Sequence, residues 1–159
     1  MSNPFSKKIF RADQWDQAIQ MLAEKDCVFT NGCFDLLHPG HLIYLSKAAS
    51  LSANMVLGLN SDLSVKKLKG DSRPINGFEY RAAMLSALPF IDVVIEFEED
   101  TPLQLIEKLK PQILVKGGDY EMDQIVGKDI VESNGGKVMV IPFVGDYSST
   151  ALIEKIKKS

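Results

Sequence analysis

His38 and His41 are the only histidines in the chain, and they flank Pro39 and Gly40. At a spacing of i, i+3 across the first turn of a helix, both imidazoles share one face. Gly40 between them carries no side chain, so a bulky anion can approach the backbone there. A helix N-terminus adds unpaired N–H groups and a partial positive charge. Together these parts can grip a triphosphate and stabilise the charge that builds on its α-phosphate during attack. The plainer alternative is that the histidines cap or pack a helix start. Two of them on one turn, behind a glycine-containing loop at a strand end, favour the anion.

Other polar clusters sit in equivalent places. Asn31-Gly32-Cys33-Phe34-Asp35, Asn60-Ser61-Asp62, Lys116-Gly117-Gly118-Asp119 and the 145–150 segment each follow a short apolar run. In an open parallel sheet, strand ends of this kind lie along one edge, where such folds bind ligands. Lys66, Lys67, Lys69 and Arg73 form a basic stretch beside that edge. Taken alone it would be a solvated face; here it is the leading phosphate clamp. Gly70, Asp71 and Pro74 predict a loop that closes over substrate and excludes water. Ser148, Ser149 and Thr150 open the last helix, where they serve as N-caps and can also meet the distal phosphates. Asn60, Asp62, Lys66 and Arg73 are the candidates for holding a second substrate.

The elements that must position these residues follow from periodicity. Asp13 is placed to cap a helix in which Trp15, Ala18, Ile19 and Leu22 share a face. The strands expected are 27–30, 55–59, 93–95, 113–115 and 138–141. A helix starts at Pro39, since proline suits the first helical position, and runs to about Ser50, burying Leu42, Leu45 and Ala49. Further helices are expected over 78–88, from Thr101-Pro102 to Lys110, over 124–134 and over 149–157. Strands alternating with helices predict an α/β fold: a three-layer α/β/α sandwich around a five-stranded parallel sheet, in one domain over 1–159.

With 159 residues, 45% hydrophobic and 25% charged, the chain has an ordinary globular composition. A net charge of −3 gives no electrostatic footprint for nucleic acid or an anionic membrane. No apolar run approaches the ~20 residues of a membrane span, and the start lacks a secretion signal, so a cytoplasmic location is expected. Cys27 and Cys33 are accordingly expected to be free thiols. They and the histidines include zinc-ligand types, but Cys27 falls inside a strand and no C-x-x-C pair exists, so no metal site is expected in the protein itself. There is no P-loop and no G-x-G-x-x-G after a strand. Cysteine-nucleophile chemistry lacks a further histidine as base.

The run 32–41, from Gly32 through His41, resembles the signature of the cytidylyltransferase-like nucleotidyltransferase superfamily, a G-x-F-D loop running into H-x-G-H. Ile91-Asp92-Val93-Val94-Ile95 is similar to its V-D-x-V-I strand, and Ser148-Ser149-Thr150 to its S-T-T helix start, with Ser149 where threonine is commoner. Within the superfamily, segments 30–35, 60–62, 68–74, 97–102 and 114–120 resemble the adenylyltransferases acting on D-glycero-β-D-manno-heptose 1-phosphate. The resemblance implies a Rossmann-like fold, ATP with Mg²⁺, and direct attack by the sugar phosphate without a covalent enzyme intermediate. It implies that His38 and His41 contact phosphates, that Lys69 and Lys66 neutralise charge, and that Phe34 and neighbouring amides of Asn31, Gly32, Cys33 and Asp35 flank the nucleotide. Lys116, Gly117, Gly118 and Asp119 would lie near the base, and Ser148, Ser149 and Thr150 near the distal phosphates. Many members carry a sugar kinase ahead of this domain; the short stretch before the first strand predicts that another protein supplies that step. Relatives are often homodimers, which sets that expectation here. Sister enzymes that use glycerol 3-phosphate, another alcohol phosphate or a flavin phosphate, with CTP or ATP, share the same histidines. A protein that binds nucleotide without catalysis is the alternative of another class.

Overall fold

The chain is described here by a computed structural model covering residues 4–22, 26–118, 120–143, 145 and 147–159. Among these residues, six strands form one sheet: β1 (Ile9–Phe10), β2 (Cys27–Gly32), β3 (Asn54–Asn60), β4 (Val93–Phe97), β5 (Ile113–Gly117) and β6 (Lys137–Ile141). Their order is β1-β4-β3-β2-β5-β6, and every pairing is parallel. The expected five strands were therefore one short. β1 has only two residues, paired Ile9 to Val94 and Phe10 to Ile95, too few for a period to show in sequence.

Seven helices among the described residues cover the sheet: α1 (Trp15–Leu22), α2 (Pro39–Ala49), α3 (Asp62–Lys69), α4 (Phe78–Ser86), α5 (Leu103–Leu109), α6 (Lys128–Ser133) and α7 (Ser149–Lys158). Alternate strand residues point to opposite faces. Cys27 and Phe29 of β2 join Val93, Ile95 and Phe97 of β4 under α1, α5 and α6. Val28, Met55, Leu57 and Val94 face the other way, under α2 and α4. Burial on both faces explains why these strands read as nearly continuous apolar runs. Among the described residues, no helix is long and apolar enough to cross a membrane.

Several local expectations need correction. The first i→i−4 bond of α1 runs from Ala18 N to Gln14 O, so Gln14, not Asp13, sits at its start. In α2 the core face is Tyr44, Leu45 and Ala48; Leu42 is exposed and Ala49 only half-buried, a rotation of about one residue in the stripe. The lysine-rich stretch is not a loop as far as Lys69: it forms α3, capped by Ser61, whose Oγ accepts from Ser64 N at 3.2 Å. The expected 124–134 helix is broken into a 3-10 turn, Met122–Gln124, and α6, because Gly127 adopts φ 88 between them.

The strand order has a consequence for ligand binding. From β2 the chain moves outward to β3 and β4, then returns to place β5 on the other side of β2. The carboxyl ends of β2 and β5 therefore flank the point where the winding reverses, where open α/β sheets form a crevice. Asn31 and Gly32 end β2, and Lys116 and Gly117 end β5.

Candidate active site

The turn from β2 into α2 is tightly shaped. Phe34 adopts φ 44, a left-handed conformation that costs a bulky residue about 1–3 kcal/mol and persists only where its surroundings impose it. Here the ring is 7% exposed, and it lies so close to Gly32 that a Cβ there would meet its Cε2 at 2.8 Å. Phe34 also meets the His41 ring edge-on, with centroids 5.1 Å apart. His38 occupies the N-cap of α2 in extended geometry and makes no side-chain cap bond, with Pro39 following at the first helical position. The two imidazoles stack at 3.7 Å, only 19° from parallel, and the Tyr147 ring lies near-parallel to His38 at 6.2 Å.

Burial sets the charge state of the pair. Burial pushes the His41 pKa down to about 4, helped by His38 and by Lys69. Burial also lowers that of His38. Both rings are therefore neutral near pH 7, each able to donate from one nitrogen. The Nδ1 atoms of both are buried without a hydrogen-bond partner among the described residues.

His41 lines a cleft of about 290 Å³ across the β2–β5 crevice. Asn31, Gly32, Cys33 and Phe34 form one side, Lys116 and Gly117 the other, and Lys69 and Ser149 reach in from α3 and α7. Lys116 Nζ donates to Asn31 Oδ1 across the crevice. Its burial brings the amine down to about 8, and no carboxylate among the described residues pairs with it. Phe143 packs flat against the glycine pair: a Cβ on Gly117 or Gly118 would meet its ring at 2.8 Å. Tyr44 holds α2 to both central strands. Its hydroxyl lies 2.5 Å from Thr30 Oγ1 and donates to Val115 O at 3.3 Å.

The remaining residues of interest fall into distinct positions. Ser149 Oγ donates to Leu36 O at 3.1 Å, which ties α7 to the histidine loop. Ser148 caps α7 by accepting from Ala151 N at 3.0 Å, and Thr150 is exposed in its first turn. Asp119 lies outside the described residues. Lys69 is in the cleft, whereas Lys66 lines a separate surface groove with Leu63, Lys67, Asp71 and Glu98. Cys33 is half-buried and Cys27 buried in β2; both are free thiols, and burial raises Cys27 to about 12.

Asp35 and Arg73 pair with each other. The buried Asp35 carboxylate accepts from Arg73 Nε at 2.5 Å, Ile75 N at 3.0 Å and Asn76 N at 2.9 Å. Burial alone would raise its pKa; the bonds from Asn76, Ile75 and Arg73 outweigh it and hold the carboxyl below its ordinary value. This constellation pins the 73–76 segment to the β2 loop.

Asn60 and Asp62 lead to a residue that sequence reasoning missed. Arg81 of α4 is fully buried and donates to Asn76 O, Cys33 O, Asn60 O and Asp62 Oδ1, at 2.7–2.9 Å. One guanidinium thus joins the loops after β2 and β3, the start of α3 and the 73–76 segment. A signal was present: Phe78, Ala82 and Leu85 set the apolar stripe of this helix, and Arg81 falls inside it. A charge at a core position needs partners.

With the crevice, histidine stack and cations in place, the chain can be compared with known proteins. The cytidylyltransferase-like family profile matches residues 29–155, which include every part of the cleft above. The chain belongs to the cytidylyltransferase-like family. It is a nucleotidyltransferase. It is 58% identical over 135 residues to the bifunctional protein HldE of Geobacter sulfurreducens, covering 85% of this chain and 28% of that one. It is 50% identical over 153 residues to the bifunctional protein HldE of Campylobacter curvus, covering 96% and 32%. The chain therefore spans about three-tenths of the length of these relatives. Among solved structures, a lipopolysaccharide core biosynthesis protein from Thermoplasma volcanium superposes with a TM-score of 0.62 at 27% identity, over 78% of this chain and 99% of that one. Pantothenate synthetase from Thermus thermophilus superposes with a TM-score of 0.63, over 95% of this chain and 70% of that one. At 17% identity, that likeness concerns the fold alone.

Proposed function

We propose that this chain transfers AMP from ATP to D-glycero-β-D-manno-heptose 1-phosphate, forming ADP-heptose and releasing pyrophosphate. The observation that carries the transfer chemistry is the stacked His38–His41 pair at the start of α2, of which His41 lines a crevice that also holds Lys69, Lys116 and Ser149. The choice of acceptor rests on the similarity to the HldE proteins and on the resembling segments around Asn60, Arg73 and Lys116.

A phosphate oxygen of the acceptor attacks the α-phosphorus, and the bond to the bridging oxygen of the β-phosphate breaks, its electron pair leaving with pyrophosphate. No protein nucleophile is needed, so the enzyme contributes position and charge stabilisation. His41, beside Lys69, donates to the phosphate that gains charge, while His38 holds the His41 ring by stacking. The open N–H groups of α2 and α7 face the anionic chain of the nucleotide. Asp35 is the one carboxylate among the described lining residues, and Arg73, Ile75 and Asn76 already engage it. A Mg²⁺ ion suits this cleft as part of the substrate, carried on phosphate oxygens and water rather than in a protein cage. The enzyme works in the cytoplasm, where ATP is supplied.

The test is pyrophosphate release with ATP or CTP against heptose 1-phosphate, glycerol 3-phosphate and FMN. ATP with heptose 1-phosphate is expected to turn over fastest. His41→Ala should lower kcat by about 10²–10³-fold, the range for losing one donor to a developing charge, with nucleotide binding largely kept. No turnover of the heptose phosphate overturns the acceptor assignment, and unchanged kcat in His41→Ala overturns the role of the pair.

A further inference from the structure

A second cavity, of about 230 Å³, adjoins the crevice on the β3–β4 side. Asn31, Lys116 and Tyr120 line both spaces and so form the boundary they share. The two cavities differ in chemistry. The first has the helix starts, His41, Lys69 and Ser149, all suited to a polyanion. The second offers an apolar floor of Phe97, Pro102 and Ile125, with Thr101 and Gln124 as hydrogen-bonding groups around it. An apolar surface rimmed by a few polar groups is what a sugar ring requires. Among the described lining residues its one cation is Lys116, in the shared wall. The carboxylate in the lining, Asp100, faces Lys67 on the surface at 3.4 Å.

Taking the nucleotidyl-transfer reading above as given, we propose that the acceptor's sugar occupies this second cavity and that Lys116 holds its phosphate at the shared wall, against the α-phosphate of the nucleotide. Three observations converge on this placement. Lys116 is in both linings, its amine is anchored by Asn31 Oδ1, and no carboxylate among the described residues neutralises it. With no carboxylate partner among the described residues, and set where the two spaces meet, this cation attracts both phosphates to one point. The acceptor oxygen then approaches from the side opposite the pyrophosphate, which lies toward His41 and α7. Thr101 and Gln124 are exposed at the rim of the second cavity and read the sugar hydroxyls. They are specificity residues and take no part in the chemistry.

The experiment separates KM for the two substrates, with pyrophosphate release as the readout. Thr101→Val and Gln124→Leu are exposed substitutions that leave the core intact. Each should raise KM for heptose 1-phosphate about 10-fold, the effect of one lost substrate hydrogen bond, with KM for ATP within about 2-fold of the parent. Phe143→Ala, against Gly117 in the first cleft, should raise KM for ATP alone. Lys116→Met should lower kcat by about 10²-fold, because a charge aimed at both phosphates is lost. In the parent, kcat/KM for the acceptor should fall as pH rises through about 8, where Lys116 loses its proton, and Lys116→Met should abolish that limb. Unchanged acceptor KM in both rim variants, or unchanged kcat in Lys116→Met, overturns the proposal. Turnover of a different sugar or alcohol phosphate would overturn only the acceptor named above, and the KM split measured with that acceptor would then decide the cavity. No turnover with any of them overturns both readings.

Discussion

Arg81→Met isolates the guanidinium that ties the loops of the ligand edge together. The substitution removes four hydrogen bonds: to Asn76 O at 2.9 Å, Cys33 O at 2.8 Å, Asn60 O at 2.8 Å and Asp62 Oδ1 at 2.7 Å. The Asn60 carbonyl is left in a fully buried place, and the other two carbonyls are partly buried. At about 2 kcal/mol for the first and about 1 kcal/mol for each of the others, the loss is about 4 kcal/mol. Asp62 is 47% exposed, so its ion pair adds little. Methionine returns about 1 kcal/mol by sparing the desolvation of a buried charge. The net expectation is a destabilisation of about 3 kcal/mol, or a fall in Tm of about 6–12 °C for a domain of this size. Arg81→Lys should cost about 2 kcal/mol, since a point ammonium cannot serve four acceptors spread around a fork. Urea unfolding followed by far-UV circular dichroism, with calorimetry for Tm, measures both. The Cys33 and Asn60 loops should also loosen, raising KM for both substrates in Arg81→Lys at a temperature where it remains folded. A loss below about 1 kcal/mol in Arg81→Met would refute the reasoning, because those carbonyls would then be satisfied without the guanidinium.

Other consequences follow from the same geometry. His41 titrates near 4 when folded and near 6.5 when unfolded, so the unfolded chain binds the extra proton between those values. Stability should therefore fall as pH drops from about 6.5 to about 4, by about 1–2 kcal/mol after allowance for partial exposure, and His41→Asn should flatten that slope in urea titrations. Asp35→Asn breaks a buried ion pair and leaves the Arg73 charge uncompensated, so thermal melts should show a loss of about 3–5 kcal/mol. A Cβ on Gly40 would meet His38 Nδ1 and Tyr147 Cβ, each at 3.1 Å. Gly40→Ala should thus shift the histidine stack and raise KM for ATP several-fold, about 1 kcal/mol of binding, with little change in Tm.

Much of the fold was legible because the strands are buried on both faces and announce themselves as apolar runs. Val93-Val94-Ile95 and Ile113-Leu114-Val115 need no tertiary knowledge to be read as strands. The α2 start was equally plain from Pro39. Harder cases had weak local signals. β1 is two residues long, and α3 carries three lysines and few apolar residues, so its helical period is faint beside the breakers Gly70 and Pro74. The stripe of α2 was misplaced because Leu42 suits a core as well as Tyr44 does. Only packing against β2 and β5 chooses between them.

The residue types and their spacing determined the local geometry by themselves. Pro39 starts a helix and so puts His38 and His41 on one turn, and Ser148 caps the last helix, because short-range backbone geometry creates both features locally. What only the tertiary structure decided is which of these local sites meet. The return of the chain from β4 to β5 sets Lys116 beside Asn31, 85 positions away in sequence. The same packing turns Lys69 into the crevice and Lys66 onto another groove, and it buries Arg81 under four acceptors. Such juxtapositions depend on strand order, and strand order is settled by the burial of whole faces rather than by any segment's own pattern.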